Sequence, residues 1–172
     1  MISSQVIFTG VGGIVTLPTT PLNGREDGGH LLVNPPREVW ERSELTAPEL
    51  MHWSFLVAAT GEAMLTALPQ LKDACLNYWE AGNWSLHDAA PPVGSKTPRD
   101  HRRVHLHIFG RSRTARHKDW QWGESPRFPP YVDSKKWASQ FALLTPEECV
   151  LIGARIEVLL REKFNISFNI SL

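Results

Sequence analysis

Surplus charge, disulfide chemistry and long apolar runs are all missing from this chain of 172 residues. Eighteen Lys and Arg stand against eighteen Asp and Glu, which excludes a broad nucleic-acid surface held by bulk positive charge. Cysteine is scarce: Cys75 and Cys149 form no CxxC spacing. That excludes a disulfide framework, and both are expected to be reduced thiols packed as small hydrophobes. No stretch holds the ~20 apolar residues that a bilayer span requires, so no membrane contact is expected. The segment 1–24 carries no charged side chain but lacks a basic start. Gly10, Gly12, Gly13, Pro18 and Pro21 interrupt it, so it does not read as a targeting signal, and a cytoplasmic location is expected. What is present, 42% hydrophobic and 21% charged residues, is the composition of a folded chain with room for one sizeable core.

Patterning divides the chain into elements. Gln5–Phe8 and Ile14–Leu17 predict a hairpin around a Gly-rich turn, and His30–Asn34 a third strand stopped by Pro35 and Pro36. Thr46-Ala47-Pro48-Glu49 is a capping box opening a helix. Along that helix Leu50, Trp53, Val57, Gly61, Met64, Leu65 and Leu68 share one face, and Pro69 ends it. Trp84–His87 and Arg103–Phe109 read as strands separated by a Pro-rich loop. The Trp- and Pro-rich segment 113–136 is irregular. Its Trp120, Trp122, Phe128 and Tyr131 are read as a cap packed over the sheet, in preference to a platform for stacking bases. A second capping box, Thr145-Pro146-Glu147-Glu148, opens a last helix running to about Lys163, and the alternating tail Asn165–Leu172 reads as an edge strand or pairing element. The expectation is an α+β fold on an antiparallel sheet with one long central helix and a C-terminal helix, as a single domain over 1–172 with its core at about 5–112.

The chemistry concentrates in one place. Five of the seven histidines fall between His87 and His117. In Arg103-Val104-His105-Leu106-His107-Ile108-Phe109 the alternation places Arg103, His105 and His107 on one face and Val104, Leu106 and Ile108 on the other. The surrounding stretch, Arg99 to Lys118, holds seven basic residues and one acid. The neutral total therefore hides a focused positive region suited to phosphate. A neighbouring guanidinium also favours the neutral imidazole. A metal site drawn from His101, His105, His107 and His117 is the competing reading; the basic surroundings and distant cysteines weaken it, and no metal or cofactor is expected.

Two blocks carry a family resemblance. Gly29-His30-Leu31-Leu32-Val33-Asn34-Pro35-Pro36-Arg37-Glu38-Val39, followed by Leu45-Thr46-Ala47-Pro48-Glu49-Leu50, and the segment Arg103–Arg111 together resemble the histidine-triad superfamily, closest to its fragile-histidine-triad branch. The resemblance spans Asn23 to Arg111. It implies that His105 is the nucleophile that takes up a nucleotidyl group, that His107 contacts the phosphate, and that His30 orients the nucleophile. By the same resemblance Asn23 and His87 lie near the nucleotide. The departures are Arg103 in place of the first signature histidine and Arg99-Asp100-His101 in place of the family's Gln-Ser/Thr-Val run. Arg99, Arg103 and Arg111 are accordingly taken as substrate-binding cations. The implied activity is a hydrolase or nucleotidyl transferase acting on phosphoanhydride or phosphoramidate bonds of a nucleotide or dinucleotide. The alternative is a nucleotide-binding protein with little or no turnover. The resemblance also implies a homodimer.

Overall fold

The computed structural model describes residues 5–166; the tail beyond Ile166, expected as a strand, lies outside them. The elements in chain order are β1 (Gln5–Gly10), β2 (Gly13–Leu17), β3 (His30–Asn34), α1 (Ala47–Ala67), β4 (Cys75–Ala81), α2 (Pro98–His101), β5 (His105–Arg111), α3 (Ser134–Ala138) and α4 (Pro146–Glu162). The strands form one five-stranded sheet in the order β1-β2-β3-β5-β4, antiparallel at every pairing.

Alternation decides what each face does. On one face the cross-strand partners Val15 and Val33, Val33 and Leu106, and Leu31 and Ile108 are buried beneath α1 and α4. Both helices begin where the sequence places them, because both capping boxes form: Thr46 with Glu49, and Thr145 with Glu148. Helix α1 packs on the sheet and on α4 at once, so its buried surface is wider than a single stripe. It takes in Leu56, Ala59 and Ala63, whereas Leu65, expected inside, lies exposed. Glu148 does a second job: its Oε2 also accepts from Arg25 Nε at 2.9 Å, tying the 24–29 loop to the start of α4.

Three sequence expectations change. The strand expected at Trp84–His87 is a short turn over Asn83–Leu86; the fourth strand is instead Cys75–Ala81. Gly82, at a φ of 137°, breaks the chain between them. Cys75–Ala81 escaped notice because each of its faces mixes polar and apolar residues, Leu76 and Tyr78 with Glu80 on one and Trp79 with Asn77 on the other, so it shows no polar–apolar alternation. The histidine strand starts two residues later than expected, at His105, and runs on to Arg111. Cys149 is buried as expected, but Cys75 is exposed.

The second face of the sheet carries a separate aromatic cluster. Leu22, Phe109 and Trp120 are buried there, with Trp79, Trp84, Phe128, Trp137 and Phe141 packed around them. This cluster needs the 22–29 loop pressed onto the end of β5. The contact is made by two glycines: a Cβ on Gly110 would lie 2.1 Å from the Gly28 carbonyl oxygen, and one on Gly28 would lie 2.3 Å from the Gly110 carbonyl carbon. Asn23 braces the same junction, donating to the Gly110 carbonyl at 2.8 Å. The Gly110→Ala variant is therefore expected to lose about 3 kcal/mol of stability, since backbone rather than a yielding side chain must move. Denaturant unfolding of the two proteins measures this.

Candidate active site

On the second face, β5 presents His105, His107, Phe109 and Arg111 in succession, because each stands two residues from the next. Trp79 on β4 pairs with His107 and Ala81 with His105, while His30 on β3 pairs with Phe109. His30 thus lies diagonal to His107, close enough for long side chains to meet. They do meet: His30 Nε2 and His107 Nδ1 are 2.8 Å apart, with the rings stacked at 5.0 Å between centroids.

The protons in this row can be placed from its fixed donors and acceptors. The Leu22 backbone N–H donates to His30 Nδ1 at 3.1 Å, so the His30 proton sits on Nε2. That N–H donates to His107 Nδ1, so the His107 proton sits on its own Nε2. Next along the strand, His105 Nδ1 lies 2.9 Å from the Arg103 carbonyl. A carbonyl only accepts, so His105 carries its proton on Nδ1 and keeps an unshared pair on Nε2.

Burial holds all three rings neutral. His30 is pushed well below the ordinary imidazole value by desolvation, and then by the neighbouring His107 and His105. Desolvation, with His105 alongside, takes His107 down to about 3. His105 is lowered too, mainly by burial, although its bond to the Arg103 carbonyl opposes the shift.

His105 and His107 open into a cavity of about 370 Å³. Its apolar wall is Leu22, Trp79 and Trp84; its polar rim includes Glu80, Ser85, His101 and Arg103. Trp79 is stacked on Phe128 at 4.4 Å and is thereby fixed. Glu80 is held by ion pairs to Arg42 and Arg102. Arg103 is half exposed. Its Nε pairs with Glu38 at 3.3 Å and one terminal nitrogen donates to the Arg102 carbonyl at 2.7 Å. It precedes the strand yet still faces the cavity with both histidines.

The other sequence candidates are placed elsewhere. Arg111 lies at the far end of β5, about 20 Å along the strand from His105. There it is buried, bonded to Asn77 Oδ1 and to the carbonyls of Gln121 and Glu124. Asn23 is buried in the loop junction. His87 is exposed and stacks on Tyr131 at 4.7 Å, and Arg99 pairs with Glu44 at the surface. None of these four lines the cavity. Trp120 is fully buried and its indole N–H donates to the Leu22 carbonyl, so this ring packs the cap. Trp122 is exposed, with the Arg113 guanidinium 4.7 Å from its ring. Sequence reasoning missed Trp79, Trp84, Glu80 and Leu22 as site residues. Reading Cys75–Ala81 as a strand would have exposed the first, which pairs with His107. Among the described residues no group of three or more His, Cys, Asp or Glu side chains is placed to hold a metal ion, and no helix is long and apolar enough to cross a membrane.

The fold is similar to that of a hypothetical histidine triad nucleotide-binding protein from Sulfolobus tokodaii strain 7. The two share 14% identity over 98% of this chain and 93% of that chain, with a TM-score of 0.50. At that identity the likeness is one of fold: α+β, with a five-stranded antiparallel sheet and helices. No protein-family model and no curated protein matches the sequence.

Neutral buried imidazoles make stability depend on acid. Unfolded histidines take up protons near 6.5, but His107 in the fold does so only near 3, and His30 is also held far below. Protons therefore favour the unfolded chain. The contribution is fully present above about pH 6.5 and drains away as pH falls toward 3, at about 1.4 kcal/mol per pH unit for each buried ring. Urea unfolding between pH 7 and pH 5 is expected to show this slope, and His107→Asn to show a shallower one.

Proposed function

We propose that this protein is a nucleotide-binding phosphohydrolase or nucleotidyl transferase that works through a covalent nucleotidyl-His105 intermediate. The observation that carries the reading is the unshared pair on His105 Nε2, left free by the bond from Nδ1–H to the Arg103 carbonyl, on a residue that lines the cavity. A neutral imidazole with a fixed tautomer is the form of histidine that attacks phosphorus. His107 supports the step: its Nε2–H is left to donate to a phosphate oxygen because its Nδ1 is occupied by His30. The Arg103 guanidinium takes up charge as the α-phosphate becomes pentacoordinate. Leu22, Trp79 and Trp84 suit the flat, apolar faces of a base. The resemblance in the sequence and the likeness in fold to a histidine triad nucleotide-binding protein agree with this.

Bond formation is between Nε2 and the α-phosphorus, with departure of the leaving group opposite. Water or an acceptor phosphate then displaces His105. Protein mixed with nucleoside phosphoramidates, dinucleoside polyphosphates and sugar nucleotides and quenched in base is expected to gain the mass of a nucleotidyl group, a nucleoside monophosphate less one water, on His105. His105→Ala is expected to lose the adduct entirely while still binding nucleotide in a calorimeter. Absence of any adduct on His105, with binding retained in the variant, identifies a nucleotide-binding protein without turnover.

A further inference from the structure

The mechanism leaves one requirement unmet. When the bond from phosphorus to the leaving group breaks, its electron pair settles on the departing atom. A departing amine or alkoxide needs a proton at that moment. The strand histidines are poor sources. His30 and His107 are locked in a buried neutral pair, and His105 is the nucleophile, its one proton held by the Arg103 carbonyl. Arg103 stays charged and does not act as an acid at neutral pH. The Glu80 carboxylate is taken up by ion pairs to Arg42 and Arg102.

One further imidazole reaches the same cavity. His101 ends α2, two residues before Arg103, and forms part of the rim beside Arg103 and His105. Its Nδ1 lies 3.1 Å from the Thr97 carbonyl. By the reasoning applied to His105, Nδ1 is the donor and Nε2 is the atom that gains and loses a proton. His101 is only half-buried, so, unlike His30, it can exchange protons with solvent between turnovers.

We propose that His101 is the proton donor to the leaving group, standing on the cavity rim beside Arg103 and His105. This rests on the reading of His105 as nucleophile. In the first half-reaction His105 Nε2 bonds to phosphorus, the bond to the leaving atom breaks, and that atom takes the proton from His101 Nε2. In the second, water attacks phosphorus, the electron pair of the P–N bond returns to His105 Nε2, and the proton released by water passes to His101 Nε2. The cycle consumes one water and restores both rings.

A matched pair of probes tests this: adenosine 5′-phosphoramidate, whose amine leaves only when protonated, and the p-nitrophenyl ester of adenosine 5′-monophosphate, whose nitrophenolate leaves without a proton. His101→Gln, which keeps a polar side chain at the helix end, is expected to slow adduct formation from the phosphoramidate about 100-fold or more. Its rate with the nitrophenyl ester is expected to stay within about threefold of the unaltered protein, which also reports that the variant is folded. An equal loss on both probes, or no loss on either, overturns the role of His101 while leaving the His105 adduct standing. If the unaltered protein forms no adduct with either probe, the reading of His105 fails and the role of His101 fails with it.

Discussion

Two imidazoles hydrogen-bonded at 2.8 Å within a folded chain impose strict terms on their surroundings. Neither can be charged without an uncompensated cation in low dielectric, and the nitrogens within the pair must meet partners of the opposite kind. The second face of the sheet answers these terms. Leu22 supplies a backbone donor to the back of His30, and Phe109 packs against both rings. Trp79 closes the side of His107 at 5.3 Å. The loop 22–29, pinned through Gly28 and Gly110, brings the backbone donor within reach. The helices on the opposite face act indirectly: they bury Leu31, Leu106 and Ile108, and alternation turns the histidines the other way.

Much of this was legible in the sequence because it depends on local rules. Period-two alternation identified the face shared by His105 and His107, and two capping boxes located the starts of α1 and α4. What escaped depends on long-range packing. Cys75–Ala81 mixes polar and apolar residues on each face and so carries no alternating signature. With that strand unread, Trp79 could not be placed beside His107 on the cavity wall. Arg111 illustrates the opposite error. Its spacing from the histidines fits the resemblance, yet the antiparallel register carries it to the other end of β5, where it holds the carbonyls of Gln121 and Glu124.

The irregular segment 113–136 was expected to cover the sheet, and for Trp120 and Phe128 that is its role. Its backbone is also anchored from below. The Asp27 carboxylate accepts from the Arg116 and His117 backbone N–H groups, and Ser112 N–H donates to the Asp27 carbonyl. A Pro-rich stretch that is irregular until α3 begins at Ser134 is thereby held by satisfied backbone groups.

Leu22 joins these parts through its two backbone polar groups. Its carbonyl accepts the indole N–H groups of both Trp120 and Trp137 at 2.9 Å, from segments about a hundred residues further along the chain. Its own N–H points the other way, at His30. A single residue therefore converts the seating of a distant aromatic cover into the direction of an imidazole proton. The late part of the chain does more than shelter the cavity: it helps decide which nitrogen in the histidine row is free. Evolutionary trimming of that cover would shift chemical character, not merely solvent access.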